Sequence, residues 1–121
     1  MTSDLFSSSL RAYRERGFFK EIKILRGIER ESLRVDKSGK ISQKNHPKNL
    51  GSPLTNKDIT TDFAEALVEL VTPTFESPEE LFDHLNLLHR FLYSELVDEM
   101  LWNFSMPCAF TNEKEIRIAE Y

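Results

Sequence analysis

The segment GIERESLRV, residues 27–35, decides how the rest of the chain is interpreted. It predicts a β-strand, in which successive side chains point to opposite faces, so that Glu29, Glu31, Leu33 and Val35 share one face. Two carboxylates on one strand face suit a divalent-metal site, because hard cations such as Mg²⁺ bind carboxylate oxygens. The alternative is a solvated face whose acids pair with nearby Arg or Lys, and spacing alone favours that alternative.

The composition is typical of one globular domain. The 121 residues are 40% hydrophobic and include nine phenylalanines, which is enough for a modest core. The formal net charge is −4, and acids and bases are mixed along the chain. This balance gives no electrostatic footprint for nucleic acid or for an anionic membrane. A phosphate ligand would need local cations or a bound metal ion.

The single cysteine and the N-terminal sequence predict the cellular compartment. Cys108 has no second cysteine with which to form an internal disulfide, which suits a reducing cytoplasm. We expect it to be a buried thiol, because no His or Cys stands at a recognisable spacing from it. Residues 1–19 contain no long apolar run, so they predict neither a secretory signal nor a membrane span. We therefore expect a soluble, cytoplasmic protein.

The segments around the acidic strand predict a helix, a hairpin and a long loop. A helix is expected from Ser3 to Gly17, with Phe6, Leu10 and Tyr13 on one face. Residues 36–39, DKSG, followed by KIS, predict a β-hairpin.

Residues 43–60 are rich in Asn, Lys, Pro, Gly and Ser and predict a loop of a length that is usually functional or mobile. His46 lies in this loop, where we expect its ring to be solvated.

The second informative segment is TTDFAEALVELVTP, residues 60–73. Periodicity alone allows either a helix or a buried strand, but valines at 68 and 71 and the stop before Pro73 favour a strand. On a strand, Glu69 lies between Leu67 and Val71 on one face, where a charged carboxylate needs a partner. Glu69 is therefore a third candidate metal ligand, with a salt bridge as the alternative.

A helix is predicted to begin at Ser77, because Ser77-Pro78-Glu79-Glu80 combines an N-cap, a proline at the first position and a capping box. Its apolar stripe predicts a helix that reaches about Glu99 and covers one face of the sheet; the stripe consists of Leu81, Leu85, Leu88, Leu92 and Leu96.

His84 and His89 lie on this helix about 140° apart and so do not form a metal pair; both are expected at the surface or its boundary. The segment WNFSMPC, residues 102–108, is expected to pack irregularly against the sheet edge.

Four segments together resemble the bacterial glutamate–cysteine ligases, also called γ-glutamylcysteine synthetases. They are GIERESLRV at 27–35, HPKNLGSPLT at 46–55, ITTDFAEALVELVTP at 59–73 and WNFSMPC at 102–108. The resemblance runs in the expected order from about residue 20 to the end of the chain. It implies an α+β fold, a portion of a glutamine-synthetase-like antiparallel sheet that forms a bowl with flanking helices.

The resemblance also implies a reaction and a set of site residues. The family uses ATP to couple the γ-carboxylate of L-glutamate to the amine of L-cysteine through a γ-glutamyl phosphate, the first step of glutathione biosynthesis. In that family, the acids that match Glu29, Glu31 and Glu69 bind Mg²⁺, for which Mn²⁺ can substitute. The residues that match Asp62 and Phe63 contact the cysteine side of the substrate site.

Family members are several-fold longer than 121 residues, so the resemblance implies that residues 1–121 form the N-terminal part of one catalytic domain. We expect this chain to be a truncated gene product or an incomplete sequence, to need the remainder of the ligase chain and to be inactive alone. The alternatives are a non-catalytic remnant or interaction module, and a sibling carboxylate–amine ligase with a different amine substrate.

Overall fold

The computed structural model describes residues 2–120, which form an α+β fold with a four-stranded antiparallel sheet. Two short 3₁₀ turns lie at Lys48–Leu50 and Glu113–Glu115. The helices and strands, in chain order, are α1 (Thr2–Glu15), α2 (Phe18–Glu21), β1 (Glu29–Asp36), β2 (Ile59–Asp62), β3 (Ala64–Val71), α3 (Pro78–Glu95) and β4 (Glu99–Trp102).

The sheet has the order β2-β3-β1-β4, so the two strands predicted from the sequence, β1 and β3, lie side by side at its centre. The strand interpretation of residues 66–72 is confirmed, and the helical alternative is wrong. In the β1–β3 register, Glu31 stands opposite Glu69 and Leu33 stands opposite Leu67. Strand β4 pairs with the other edge of β1 and places Trp102 opposite Leu33.

Helix α3 covers one face of this sheet. It begins as predicted, with the Ser77 side chain accepting a hydrogen bond from the Glu80 backbone N–H. The buried leucines of α3 pack into a core with Val68 and Leu70 of β3 and Leu101 of β4. Those core positions on β3 alternate with Leu67 and Glu69, so the opposite face of the sheet is not covered by this helix.

The prediction that this helix reaches Glu99 is wrong. Helix α3 ends at Glu95, Leu96 is already extended, and Asp98 has a positive φ of 59° that reverses the chain into β4. Leu96 still packs against the core, which explains why the leucine stripe extends one turn beyond the helix. The prediction that residue 102 lies in an irregular segment is also wrong, because Trp102 is the last residue of β4.

The predicted hairpin after β1 is confirmed. Gly39 has a φ of 82°, and the Asp36 N–H donates to the Lys40 carbonyl across the turn. The predicted loop over 43–60 holds one 3₁₀ turn, but its last residues belong to β2, which the sequence did not reveal. Strand β2 is only four residues long, and so short a segment offers little periodicity from which to predict a strand.

The chain between β2 and β3 contains an irregularity next to the acidic residues. Thr60 pairs with Glu69, whereas Asp62 pairs with Ala64, so the register shifts by a bulge on the β3 side. Residues 117–119 fill the edge of β3 that this shift exposes, through hydrogen bonds from Glu65 N to Arg117 O and from Ala119 N to Phe63 O. The C-terminal segment therefore continues the sheet beside the first half of β3.

The helix predicted from Ser3 to Gly17 is confirmed as α1, which runs from Thr2 to Glu15. Its apolar face does not enter the core: Phe6, Leu10 and Tyr13 are all exposed. Within residues 2–120, no helix is long and apolar enough to cross a membrane. The last residue of the predicted domain, Tyr121, lies outside the described residues.

The predictions for two isolated side chains had different outcomes. Cys108 is buried as expected, and burial raises the pKa of its thiol. The expectation of a solvated His46 ring is wrong, because both ring nitrogens are buried and neither has a hydrogen-bond partner among the described residues. Burial, and secondarily the charge of Arg34, lowers the pKa of the His46 imidazole.

Candidate metal centre

The three predicted metal ligands lie on the face of the sheet opposite α3. Glu31 of β1 and Glu69 of β3 are directly opposed, and Glu29 lies one diagonal step from Glu69 because its partner is Val71. Opposed residues on antiparallel strands have Cβ atoms about 4.5–5.5 Å apart, and diagonal neighbours are within about 8 Å. Tertiary structure therefore brings Glu69, 38 residues away in sequence, beside Glu31.

This surface is open rather than buried. Glu29 and Glu31 are exposed and Glu69 is half-buried, in contrast to Val68 and Leu70, which alternate with Glu69 on the covered side. We call the surface formed by Glu29, Glu31, Glu69 and Asp62 the acid face. A cavity of about 370 Å³ adjoins it at Glu29, between the ends of β1 and β3.

The acid face carries uncompensated negative charge. Partial burial raises the pKa of the Glu69 carboxyl, and repulsion from Glu29, then Glu31, then Asp62 raises it further. No hydrogen bond to the carboxylates of Glu29, Glu31 or Glu69 occurs among the described residues, so the salt-bridge alternative for Glu69 has no partner there. A cation at this face would relieve the repulsion.

The two predicted substrate-contact residues lie at one end of the acid face. Asp62 is half-buried and close enough to Glu69 to raise its pKa. Phe63 follows it with a φ of 53°, and its side chain is 83% exposed. A positive φ is uncommon for a large aromatic residue, and such strained residues cluster at functional sites. The structure thus brings both residues to the end of β2, next to the proposed ligands.

The donor set fits a hard divalent cation, but the side chains do not yet converge. Carboxylate oxygens are the ligands that Mg²⁺ and Mn²⁺ prefer. Among residues 2–120, however, no three His, Cys, Asp or Glu side chains are grouped so that they could already hold an ion. The opposed positions of Glu31 and Glu69 allow both side chains to turn towards a shared cation by rotating about their torsions. Their role as ligands stays a prediction.

The position of β1 depends on Arg34, a residue that sequence reasoning did not single out. Arg34 is fully buried on the α3 side and pairs with Glu99 at 2.8 Å, and the Glu99 side chain is only 3% exposed. Its guanidinium also donates to the backbone carbonyls of Lys44, Asn45 and Glu65, which ties β1 to the loop and to β3. Burial lowers the pKa of Arg34, while Glu99 opposes this effect.

No sequence signal identified this buried pair. Residue 34 shares with Arg30 and Ser32 a strand face that looks polar, and its partner Glu99 is 65 residues away. The alternation predicts which residues share a face, but it does not predict which face the helix covers. The polar-looking face is the one that α3 covers, and this leaves the acid face open.

Comparison with known proteins identifies the family. A sequence model described as glutamate-cysteine ligase matches residues 9–121. The chain belongs to the glutamate–cysteine ligase family. It is 52% identical over 97 residues to a glutamate–cysteine ligase of Pseudomonas putida, a match that covers 80% of this chain and 18% of the relative. A glutamate–cysteine ligase of Wigglesworthia glossinidia brevipalpis is 52% identical over 99 residues, covering 82% and 20% of the two chains.

Solved structures of similar proteins have the same fold. The glutamate–cysteine ligase of Francisella tularensis in complex with AMP matches with a TM-score of 0.75 and 43% identity, covering 78% of this chain and 19% of that one. A bifunctional glutathione synthetase from Pasteurella multocida matches with a TM-score of 0.74 and 36% identity, covering 78% and 13%. These matches confirm the predicted family and the predicted fold class. This chain spans about a fifth of the length of the ligases it matches.

Proposed function

We propose that this chain supplies the metal-binding part of the active site of an ATP-dependent glutamate–cysteine ligase. The observation that carries the proposal is the acid face, on which β1 and β3 present Glu29, Glu31 and Glu69 in register on an uncovered surface. Family membership and the AMP bound to the Francisella tularensis ligase support the use of a nucleotide. The remainder of the ligase chain is the proposed partner, and the cytoplasm is the proposed compartment.

The proposed reaction joins L-glutamate to L-cysteine in two steps. The γ-carboxylate of glutamate attacks the terminal phosphorus of ATP, which releases ADP and forms γ-glutamyl phosphate. The amine of cysteine then attacks the acyl carbon, loses a proton and expels inorganic phosphate, while the thiol is left unchanged. Carboxylate is a poor electrophile, so the energy of ATP is what makes amide formation feasible.

The chain's own residues would do two things in this reaction. Glu29, Glu31 and Glu69 would hold Mg²⁺, or Mn²⁺ in its place, through their carboxylate oxygens. A bound divalent cation supplies positive charge at phosphate oxygens when a phosphoryl group moves from one anion to another. Asp62 and Phe63, at the end of β2, would contact the cysteine side of the substrate, with the exposed Phe63 ring as an apolar contact.

A chimeric enzyme tests this proposal. In the Pseudomonas putida ligase, the 97 matched residues are replaced by those of this chain, and γ-glutamylcysteine formation is measured with ATP, Mg²⁺, glutamate and cysteine. We expect Glu29→Gln, Glu31→Gln and Glu69→Gln each to lower turnover by at least about 100-fold, since each removes a metal-bound charge. Asp83→Asn, on the exposed side of α3, makes the same charge change and is the matched control.

Near-normal turnover of all three glutamine variants would show that these acids are only surface charge. A direct metal-binding measurement on the 121-residue chain keeps the test decisive if the chimera is inactive. Mn²⁺ bound to the chain is counted by electron paramagnetic resonance, and we expect Glu31→Gln to weaken binding by about 10-fold or more. Equal binding by Glu31→Gln and Asp83→Asn would overturn the assignment.

A further inference from the structure

Helices α1 and α2 present an apolar surface that the described part of the chain leaves uncovered. On α1, Phe6, Leu10 and Tyr13 are three or four residues apart and so share one face, and each is at least 48% exposed. Within residues 2–120, no residue of α1 or α2 belongs to either cluster of buried side chains that forms the core. We call this surface the N-terminal apolar patch; it consists of Phe6, Leu10, Tyr13, Phe18 and Phe19.

The turn between the two helices makes this patch continuous. Gly17 has a φ of 71°, which turns the chain after α1, and its carbonyl accepts a hydrogen bond from the Lys20 N–H. This turn places the ring centroid of Phe18 5.2 Å from that of Tyr13, and the centroid of Phe19 5.9 Å from that of Phe18. The aromatic contacts therefore extend the apolar face of α1 onto α2.

The N-terminal apolar patch is large for a free surface. Phe18 and Phe19 are each about half exposed, as are Leu10 and Tyr13, and Phe6 is more exposed still. With about 200 Å² for each large side chain, the five residues together expose about 500 Å². Contiguous apolar patches larger than a few hundred Å² mark sites where a protein contacts another surface. We therefore expect another surface to cover this patch.

The family match indicates which surface this is. The glutamate–cysteine ligase model matches from residue 9 onwards, so it includes four of the five patch residues. The patch thus belongs to the ligase domain and not to a segment added in front of it. The matched region is only 18% of the Pseudomonas putida ligase, so more than four-fifths of that enzyme lies outside the match. The rest of such a chain is long enough to cover the patch.

The charges around the patch favour the rest of the ligase over a second copy of this chain. Residues 4–20 contain two acids and four bases, and none of the bases forms an ion pair within the described residues; the bases are Arg11, Arg14, Arg16 and Lys20. Acidic side chains at the edge of a covering surface would pair with these bases. A symmetric dimer would place the patch against itself, and so bases against bases.

We propose that the N-terminal apolar patch is the docking surface for the rest of the ligase chain, which covers it with an apolar surface bordered by acidic side chains. This inference rests on the proposed function, in which the remainder of the ligase chain is the partner, and it adds the surface through which the two parts are joined. Helices α1 and α2 then have a structural role that is separate from the acid face.

Thiol labelling in a full-length chimera tests the docking surface. Residues 1–121 of this chain replace the matched region of the Pseudomonas putida ligase and everything before it, and labelling by N-ethylmaleimide is located by peptide mass spectrometry. We expect Leu10→Cys to react at least about 10-fold more slowly than Glu15→Cys, because docking buries the thiol. Glu15 is the matched control, since it is exposed and lies about 140° around α1 from Leu10. Equal labelling rates would overturn the proposal.

A second position keeps the test independent of one substitution. Phe18→Cys should also react slowly, and adding Leu10→Asp should speed its labelling by about 10-fold or more, because a carboxylate buried against an apolar surface lacks a partner. Ser8→Asp, on the opposite side of α1, should leave it slow. Buried Cys108 reports on folding, since it stays unreactive as long as the sheet is folded. Fast labelling of Phe18→Cys while Cys108 stays unreactive would contradict docking.

The same labelling distinguishes other occupants and separates this inference from the proposed function. Protection of Leu10→Cys that disappears on dilution would show that a second copy covers the patch, and protection that requires anionic lipid vesicles would show that a membrane does. Either result overturns the proposal. Turnover that survives Glu31→Gln refutes the proposed metal role, whereas slow labelling of Leu10→Cys in the same chimera would still support docking. Fast labelling in a chimera that needs Glu31 refutes only the docking surface.

Discussion

Neutralising one carboxylate of the acid face should have opposite effects on folding and on metal binding. In Glu69→Gln, the side chain keeps its size but loses the charge that Glu29, Glu31 and Asp62 repel. The raised pKa of Glu69 means that its charged form is disfavoured in the folded, metal-free chain. We therefore expect the variant to be more stable than wild type without metal and to gain less stability when metal is added.

The size of the first effect follows from the register. With Glu31 and Glu69 opposed, their carboxylates lie about 6 Å apart, which gives about 0.7 kcal/mol of repulsion in water and about 3 kcal/mol at an effective dielectric near 20. Because this surface is open, the value for water applies to each pair. Repulsion by Glu29 and Asp62 adds to this, so the expected gain in the free energy of unfolding is about 1 kcal/mol.

Urea denaturation of the 121-residue chain, with and without Mg²⁺, measures both effects. A gain of about 1 kcal/mol raises the midpoint by about 0.5 M at an m-value of about 2 kcal/mol/M. Mg²⁺ at ten times its dissociation constant should stabilise wild type by about 1.4 kcal/mol. Its effect on Glu69→Gln at the same concentration should be clearly smaller. Asp83→Asn is the control for the loss of one charge, because its side chain is exposed on α3.

Two results would refute this reasoning. A metal-free Glu69→Gln variant that is less stable than wild type would mean that the carboxylate makes a favourable contact. Equal stabilisation of wild type and variant by Mg²⁺ would mean that Glu69 does not take part in cation binding.

Three further predictions concern the scaffold. Arg34→Met leaves the Glu99 carboxylate buried without its ionic partner and should lower the free energy of unfolding by about 3–5 kcal/mol in urea denaturation; a loss below about 1 kcal/mol would contradict this. The lowered pKa of His46 means that the unfolded chain binds more protons, so stability should be complete above about pH 6.5 and should fall on acidification towards the folded pKa. His46→Asn should make the thermal midpoint between pH 7 and pH 5 less dependent on pH, and an unchanged slope would refute this. Ser77→Ala removes the hydrogen bond to the Glu80 N–H and should cost about 1 kcal/mol, with Ser77→Asp close to wild type because aspartate also caps.

The sequence alone determined the features that depend on neighbouring residues. Residues 27–35 predicted one strand, and the valines at 68 and 71 and the stop before Pro73 favoured a second over residues 66–72. The faces that their acids share then followed from the period of two in strand geometry. The start of α3 followed from its capping residues, whose hydrogen bonds are local. The strand pattern made Glu29, Glu31 and Glu69 candidate ligands, the family resemblance implied the same role, and the antiparallel register placed all three on one face.

Only the tertiary structure decided which face is covered and which distant groups meet. The end of α3 depends on the pairing between β4 and β1, which competes with continuation of the helix. The sequence near residue 96 contains no residue pattern that predicts this end. The buried Arg34–Glu99 pair and the row from Leu67 to Trp102 join residues at least 34 apart. Such contacts depend on which strands become neighbours. For that reason GIERESLRV predicted the acids, but the sheet determined that they lie beside Glu69 on a face that the helix leaves open.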